Sequence, residues 1–192
     1  MGFDKAKPLT VSHWLNTNSP ISLEQLHGRV VLIEAFQMLC PGCVSHALPQ
    51  AMRVRKSFRE TDVMVIGLHS VFEHHAAQGA ETALKAFLHE YRISFPVAID
   101  AQPEDGGPPI TMAAYGMRGT PTTLLIDRQG FVRKHSFGQV DDLVLGAEIM
   151  ALMKEDTQPQ ASDRIEAGEK DAATVAAPCH RKRVSVDKTV RT

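Results

Sequence analysis

The chain has 192 residues, 43% hydrophobic and 22% charged, with a formal net charge of -1. That allows one domain of ordinary size with extensions and a real apolar core, and gives no pointer to nucleic acid. With 3 Cys it is no disulfide-stapled secreted scaffold.

Residues 1–8 lack the apolar segment of a secretory signal, and no uncharged apolar run is long enough to span a bilayer, so a cytoplasmic protein without membrane contact is expected. Residues 1–28 mix turn formers with short apolar pieces and read as an N-terminal extension packing on the domain. The 16–20 stretch is a turn. Ser22 followed three residues later by Gln25 reads as a helix cap, and the segment stops before Gly28.

From Val30 the pattern alternates between strand and helix. Residues 30–37 form a near-continuous run of β-branched and large apolar side chains, the pattern of a buried strand. Residues 43–60 read as a helix with Arg53, Arg55, Lys56 and Arg59 outward. A second strand is predicted over 63–68, a helix over 81–91 with Leu84, Phe87, Leu88 and Tyr91 on one face, and a third strand over 95–99. Residues 122–127 and 131–136 read as strands joined through Gly130 as a hairpin, and 140–154 as the last helix. This order predicts an α/β domain over 29–154, a mixed central β-sheet flanked by helices on both faces. Residues 155–192 are polar and Ala-rich and read as a disordered tail.

Cys40-Pro41-Gly42-Cys43 follows the first strand directly. Two cysteines at this spacing, delivered by a strand to a helix start, are the layout of a thiol–disulfide redox site. A helix N-terminus offers unpaired N–H groups and partial positive charge, surroundings that favour a thiolate, and Cys40 stands there. Pro41 fits the first helical turn, Gly42 permits close backbone approach, and Cys43 falls one turn in as the buried resolving thiol. A structural zinc site joining this pair to Cys179 and His180 is the alternative by ligand type. Glu34 interrupts the apolar strand six residues before Cys40 and shares a face with Leu32 and Phe36. A carboxyl buried there would be raised in pKa and could exchange a proton with a neighbouring thiol; its alternative is a strand-end Glu reaching solvent. Thr120-Pro121-Thr122 opens a later apolar strand, a position where proline is tolerated.

Together these stretches resemble the thioredoxin fold, and within it the TlpA/ResA-like redoxins with their DipZ-like branch. The 21–33 stretch is similar to their lead-in, 65–70 and 94–100 to their second and third strands, 115–122 to their cis-proline loop and 127–130 to their hairpin turn. The resemblance covers about residues 8–154. It implies a cis Pro121 facing the cysteines, with Thr120 offering backbone groups to an extended substrate. It implies a thiol–disulfide oxidoreductase with Cys40 and Cys43 as the redox-active pair; the motif alone does not choose a direction, and the expected reducing compartment points to a reductase. Glu34 would be the buried acid, and Pro41, Gly42, Thr120 and Pro121 would line the substrate. Four departures stand out. Glu34 is one methylene longer than the thioredoxin aspartate. Leu39 replaces an aromatic residue. Pro49 comes one residue late after Cys40, which suggests a π-type bulge. The 101–109 stretch is an insertion rich in Pro and Gly.

No cofactor and no metal are expected. The partners implied are a protein disulfide or dithiol and an upstream thiol reductant, with the chain as a monomer. Two other readings use the same pair. A peroxiredoxin-type peroxidase would use Cys40 but wants Pro and Thr where Ile33 and Gln37 stand. A copper-binding redoxin would add a distant histidine such as His69, His74, His75 or His135, although His69 reads as a loop residue. Cys179 beside Arg181-Lys182-Arg183 could cap the site or belong to a docking patch.

Overall fold

The structure, a computed structural model, describes residues 2–155; the readings on the tail, with Cys179, His180 and residues 181–183, lie outside the described residues. Six strands make one sheet: β1 (Val11–Leu15), β2 (Val30–Phe36), β3 (Val63–His69), β4 (Val97–Asp100), β5 (Thr122–Ile126) and β6 (Val132–Phe137). Their order is β1-β4-β3-β2-β5-β6. β2, β3 and β4 run parallel, β1 is antiparallel to β4, and β5 is antiparallel to both β2 and β6. The mixed sheet expected from the alternation is therefore present. β2 lies at its centre with all seven residues buried, which is why it reads as an unbroken apolar run.

The helices are α1 (Leu48–Ser57), α2 (His75–Gln78), α3 (Glu81–Glu90), α4 (Ile110–Ala114) and α5 (Asp142–Lys154). Side chains of α1, α3 and α5, including Leu48, Leu84 and Ile149, share one apolar cluster with Leu32, Phe36 and Cys43. The other face of β2, through Val31, Ile33 and Ala35, meets Leu23, Leu26 and Met112 of α4. Helices thus cover both faces, as the pattern predicts.

Several details differ from the sequence pattern. The 43–60 helix is interrupted at its start: Cys43–Ala47 is a π turn, which accommodates the extra residue signalled by Pro49. α1 ends at Ser57 because Phe58 turns extended. The third strand begins at Val97 rather than 95; Pro96 has no N–H to give the ladder. β1 forms where only turns and short apolar pieces are read, and α4 follows the 101–109 insertion. His69 is not a loop residue: it is the last residue of β3, 2% exposed, with its ring 5.2 Å from that of Phe36. The cap at Ser22 and Gln25 is real. The Ser22 N–H donates to Gln25 Oε1 (3.2 Å) and the Gln25 N–H to Ser22 Oγ (3.4 Å), at the mouth of a single 3-10 turn, Glu24–Leu26.

Candidate active site

β2 ends at Phe36 and hands the chain directly to the cysteines. The Cys40 N–H donates to the Gln37 carbonyl (3.2 Å), and the Val44 N–H to the Cys40 carbonyl (3.1 Å). Pro41 and Gly42 already lie in helical conformation, as a proline at a helix start can. Cys40 is partly exposed and Cys43 fully buried, both as free thiols. The Cys43 N–H donates to Cys40 Sγ at 3.3 Å, and the Cys40 thiol lies 3.5 Å from the Thr120 carbonyl oxygen. Burial pushes the Cys43 thiol well above its ordinary value, and its contact with Cys40 pushes the same way. One thiol is therefore reachable, and the other stays protonated until a base acts on it.

The cis-proline loop closes over the pair. The Thr120–Pro121 bond is cis. A Cβ placed on Gly42 would lie 3.4 Å from Pro121 Cδ, so the two loops stand at about van der Waals distance over the pair. Pro41 is exposed and its carbonyl accepts the Ser45 hydroxyl at 2.7 Å. Pro41, Gly42, Thr120 and Pro121 thus lie around Cys40, with Leu39 (56% exposed) beside it.

Glu34 sits in the middle of β2, flanked by Gly67 of β3 and Thr123 of β5. It is 1% exposed, so the strand-end alternative does not hold. Thr123 Oγ1 donates to Glu34 Oε2 at 2.9 Å, whereas Oε1 has no hydrogen-bond partner. Burial raises its pKa from 4.5 to about 8, against the Thr123 hydrogen bond. It lies on the same face of β2 as Leu32 and Phe36, which pack in one cluster with Cys43.

Sequence reasoning missed a buried amide clasp behind the pair. The Gln37 amide lies 3.4 Å from both Glu73 Oε1 and Thr120 Oγ1. Its oxygen accepts the Gln78 amide (2.9 Å) and the Phe72 N–H (3.3 Å), while Gln78 Oε1 accepts the Leu39 N–H (3.1 Å). Gln37 is 1% and Gln78 0% exposed. The clasp joins the cysteine loop, the segment after β3 and the cis-proline loop. The available signal was a glutamine at the end of an apolar strand, which buries only with partners. Gln37 also fills the place where a peroxidase threonine would stand. Among the described residues no three His, Cys, Asp or Glu come together as a metal-ion set. Nor is any described helix long and apolar enough to cross a membrane.

Residues 4–135 match the model of the AhpC/TSA family. A solved thioredoxin-like superfamily protein is 56% identical with a TM-score of 0.77, covering 80% of this chain and 99% of its own. A thiol-disulfide isomerase from Corynebacterium glutamicum is 47% identical with a TM-score of 0.75, covering 80% and 97%. Among curated proteins, DipZ of Mycobacterium bovis is 32% identical over 136 residues, which are 68% of this chain but 18% of DipZ. The thiol-disulfide oxidoreductase ResA of Halalkalibacterium halodurans is 29% identical over 135 residues, 70% of this chain and 68% of ResA. The chain thus spans under a fifth of the length of DipZ and about two thirds of ResA.

Proposed function

The chain belongs to the AhpC/TSA family of thioredoxin-like proteins, and on that premise we propose that it is a thiol–disulfide oxidoreductase acting through Cys40 and Cys43. The observation that carries the reading is the pairing of a reachable Cys40 with a buried Cys43 whose N–H reaches the Cys40 sulfur at 3.3 Å.

In this reading the Cys40 thiolate attacks one sulfur of a protein disulfide. A Cys40–substrate bond forms, and the other substrate sulfur leaves as a thiolate that takes a proton. Cys43 loses its proton to the Glu34 carboxylate and attacks Cys40 Sγ. The Cys40–Cys43 bond forms, the Cys40–substrate bond breaks, and the substrate departs reduced by two electrons. Pro41, Gly42, Thr120 and Pro121 bind the substrate strand. An upstream thiol reductant returns the pair to dithiol form, so the cycle runs in the reductase direction, as suits a reducing compartment such as the cytoplasm.

Reduction of insulin disulfides with dithiothreitol as donor tests this. Wild type accelerates it, Cys40→Ser does not, and Cys43→Ser accumulates a mixed disulfide. Equal rates in wild type and Cys40→Ser would overturn the reading, and peroxide consumption that survives Cys43→Ser would favour the peroxidase. Recovery of the pair mainly as a disulfide from acid-quenched cells would reverse the proposed direction.

A further inference from the structure

If Glu34 accepts the Cys43 proton, that proton has to leave a carboxyl enclosed by the sheet and by apolar neighbours. Among the described residues the partner of that carboxyl is Thr123, at 2.9 Å. Thr123 in turn lines a cavity of about 30 Å³ between the helix start and the segment leading into α5. That volume holds one water. The cavity is bordered by His46, Gln50, Arg53, Val140 and Asp142 as well.

The charged groups on its wall are largely committed to one another. Asp142 is bound by Arg53 Nη2 (2.9 Å) and by the Gln50 amide (2.6 Å), and the Arg53 contact holds its carboxyl below the usual range. Gln50 also donates to the Val140 carbonyl (2.8 Å). The remaining titratable group there is His46, exposed and placed by the π turn. Its Nδ1 lies 2.6 Å from the Ser45 hydroxyl. An imidazole is the side chain suited to exchange protons near neutral pH, and a threonine hydroxyl can accept one proton while donating another.

We propose that Thr123, one water in this cavity and His46 form the route by which the proton taken up by Glu34 reaches solvent. Protonated Glu34 gives its proton to Thr123 Oγ1 as the Thr123 proton passes to the water, then to the His46 ring and to bulk. Glu34 is left as carboxylate for the next cycle. No electrons move in this relay; the two that reduce the substrate come from the cysteine pair. Thr123 and His46 act through Glu34 and touch no substrate. The inference rests on the Glu34 reading above.

The test uses the full chain, reduced and mixed rapidly with an aromatic disulfide whose thiolate product is coloured. The first release of colour reports attack by Cys40, and the second reports resolution by Cys43. At pH 7 Glu34, with its pKa raised to about 8, starts protonated and has to empty through the relay before it can take the Cys43 proton, so the second release reads the relay. In dilute buffer His46→Gln and Thr123→Val should slow the second release roughly tenfold. Glu34→Gln should slow it roughly a hundredfold, the low end of what a positioned base contributes. Thr123→Ser should keep the wild-type rate, and added imidazole should restore His46→Ala but not Glu34→Gln. The first release is the reference for a folded site. A second release at wild-type rate in His46→Gln and Thr123→Val, with Glu34→Gln slow, overturns the relay and leaves the Glu34 reading standing. A wild-type second release in Glu34→Gln overturns both.

Discussion

Glu34 ties the chemistry of the site to the stability of the molecule. Its carboxyl ionises near 4.5 in the ordinary state and near 8 when folded. Between those values the folded chain holds a proton that the unfolded chain has released. Stability contributed by the neutral carboxyl is therefore full below about pH 4.5 and lost as pH rises toward 8, by on the order of a few kcal/mol. Glu34→Gln, melted in denaturant across this range, should lack that loss. His69 works in the opposite sense. Burial lowers its pKa from 6.5 to about 4 and leaves Nε2 without a partner, so its contribution is present above pH 6.5 and lost as pH falls toward 4. A His69→Leu variant should lose less stability on acidification than wild type. Glu34 was legible because an acid stands out inside an apolar strand. His69 was not, because a polar residue at a strand end is buried by what another segment lays over it, here the ring of Phe36.

The elements around the site are held by polar contacts from distant parts of the chain. Gln78→Ala leaves the Leu39 N–H without its acceptor and Gln37 Oε1 without its amide donor. It should cost about 1–3 kcal/mol, the usual penalty for groups left unsatisfied in the interior. It should also raise the KM for a protein disulfide more than it lowers kcat, because the loops it joins surround Cys40. Gly67 is the β3 residue opposite Glu34, and a Cβ there would lie 3.1 Å from Phe36 Cε1, Phe95 Cε2 and Val97 Cγ2. All three neighbours are buried, so Gly67→Ala should destabilise by about 1–3 kcal/mol in equilibrium unfolding. β2, β3, β5 and the Gly130 turn were readable because burial or turn chemistry is written into consecutive residues. β1 was not: as an edge strand only Leu15 of its five residues is buried, so it carries no clean alternation. α4 was hidden for another reason. The Thr111 and Met112 N–H groups at its start are accepted by Asp100 at 2.8 and 3.0 Å, a cap supplied by the preceding strand and not by the residue before the helix.

For the whole molecule Glu34 and His69 pull stability in opposite directions. From about pH 4.5 to 6.5 the folded chain gains a proton at Glu34 relative to the unfolded one and lacks one at His69. Their slopes are equal and opposite, so the joint contribution of this pair runs level across that window and falls on both sides, on top of what the raised Asp100 carboxyl and the lowered Glu24, Glu81 and Asp142 carboxyls add in wild type and variants alike. Relative to wild type, Glu34→Gln should shift the stability profile toward higher pH and His69→Leu toward lower pH; unfolding measured at half-unit pH steps decides. The same sheet places the reactive pair at the carboxyl end of β2, with β3 and β5 on either side. Residues 78 and 120, far from the cysteines in sequence, meet there only because the strand order brings their loops together. That explains why the pair itself was plain in the sequence while the clasp was not.

The π turn at Cys43–Ala47 also says where this chain tolerates a change of length. Each residue inserted into or removed from an α-helix rotates everything beyond it by about 100°. Inside α1, one residue added would carry Arg53, and one residue removed Arg55, into the position now held by Val54 in the core. Within the wide turn, one residue is already surplus to regular winding. Deleting Val44 or Ser45 should let the turn tighten to ordinary helix with the buried face of α1 still in place. The segment that follows the cysteines is thereby a length buffer between the reactive pair and the packed helix.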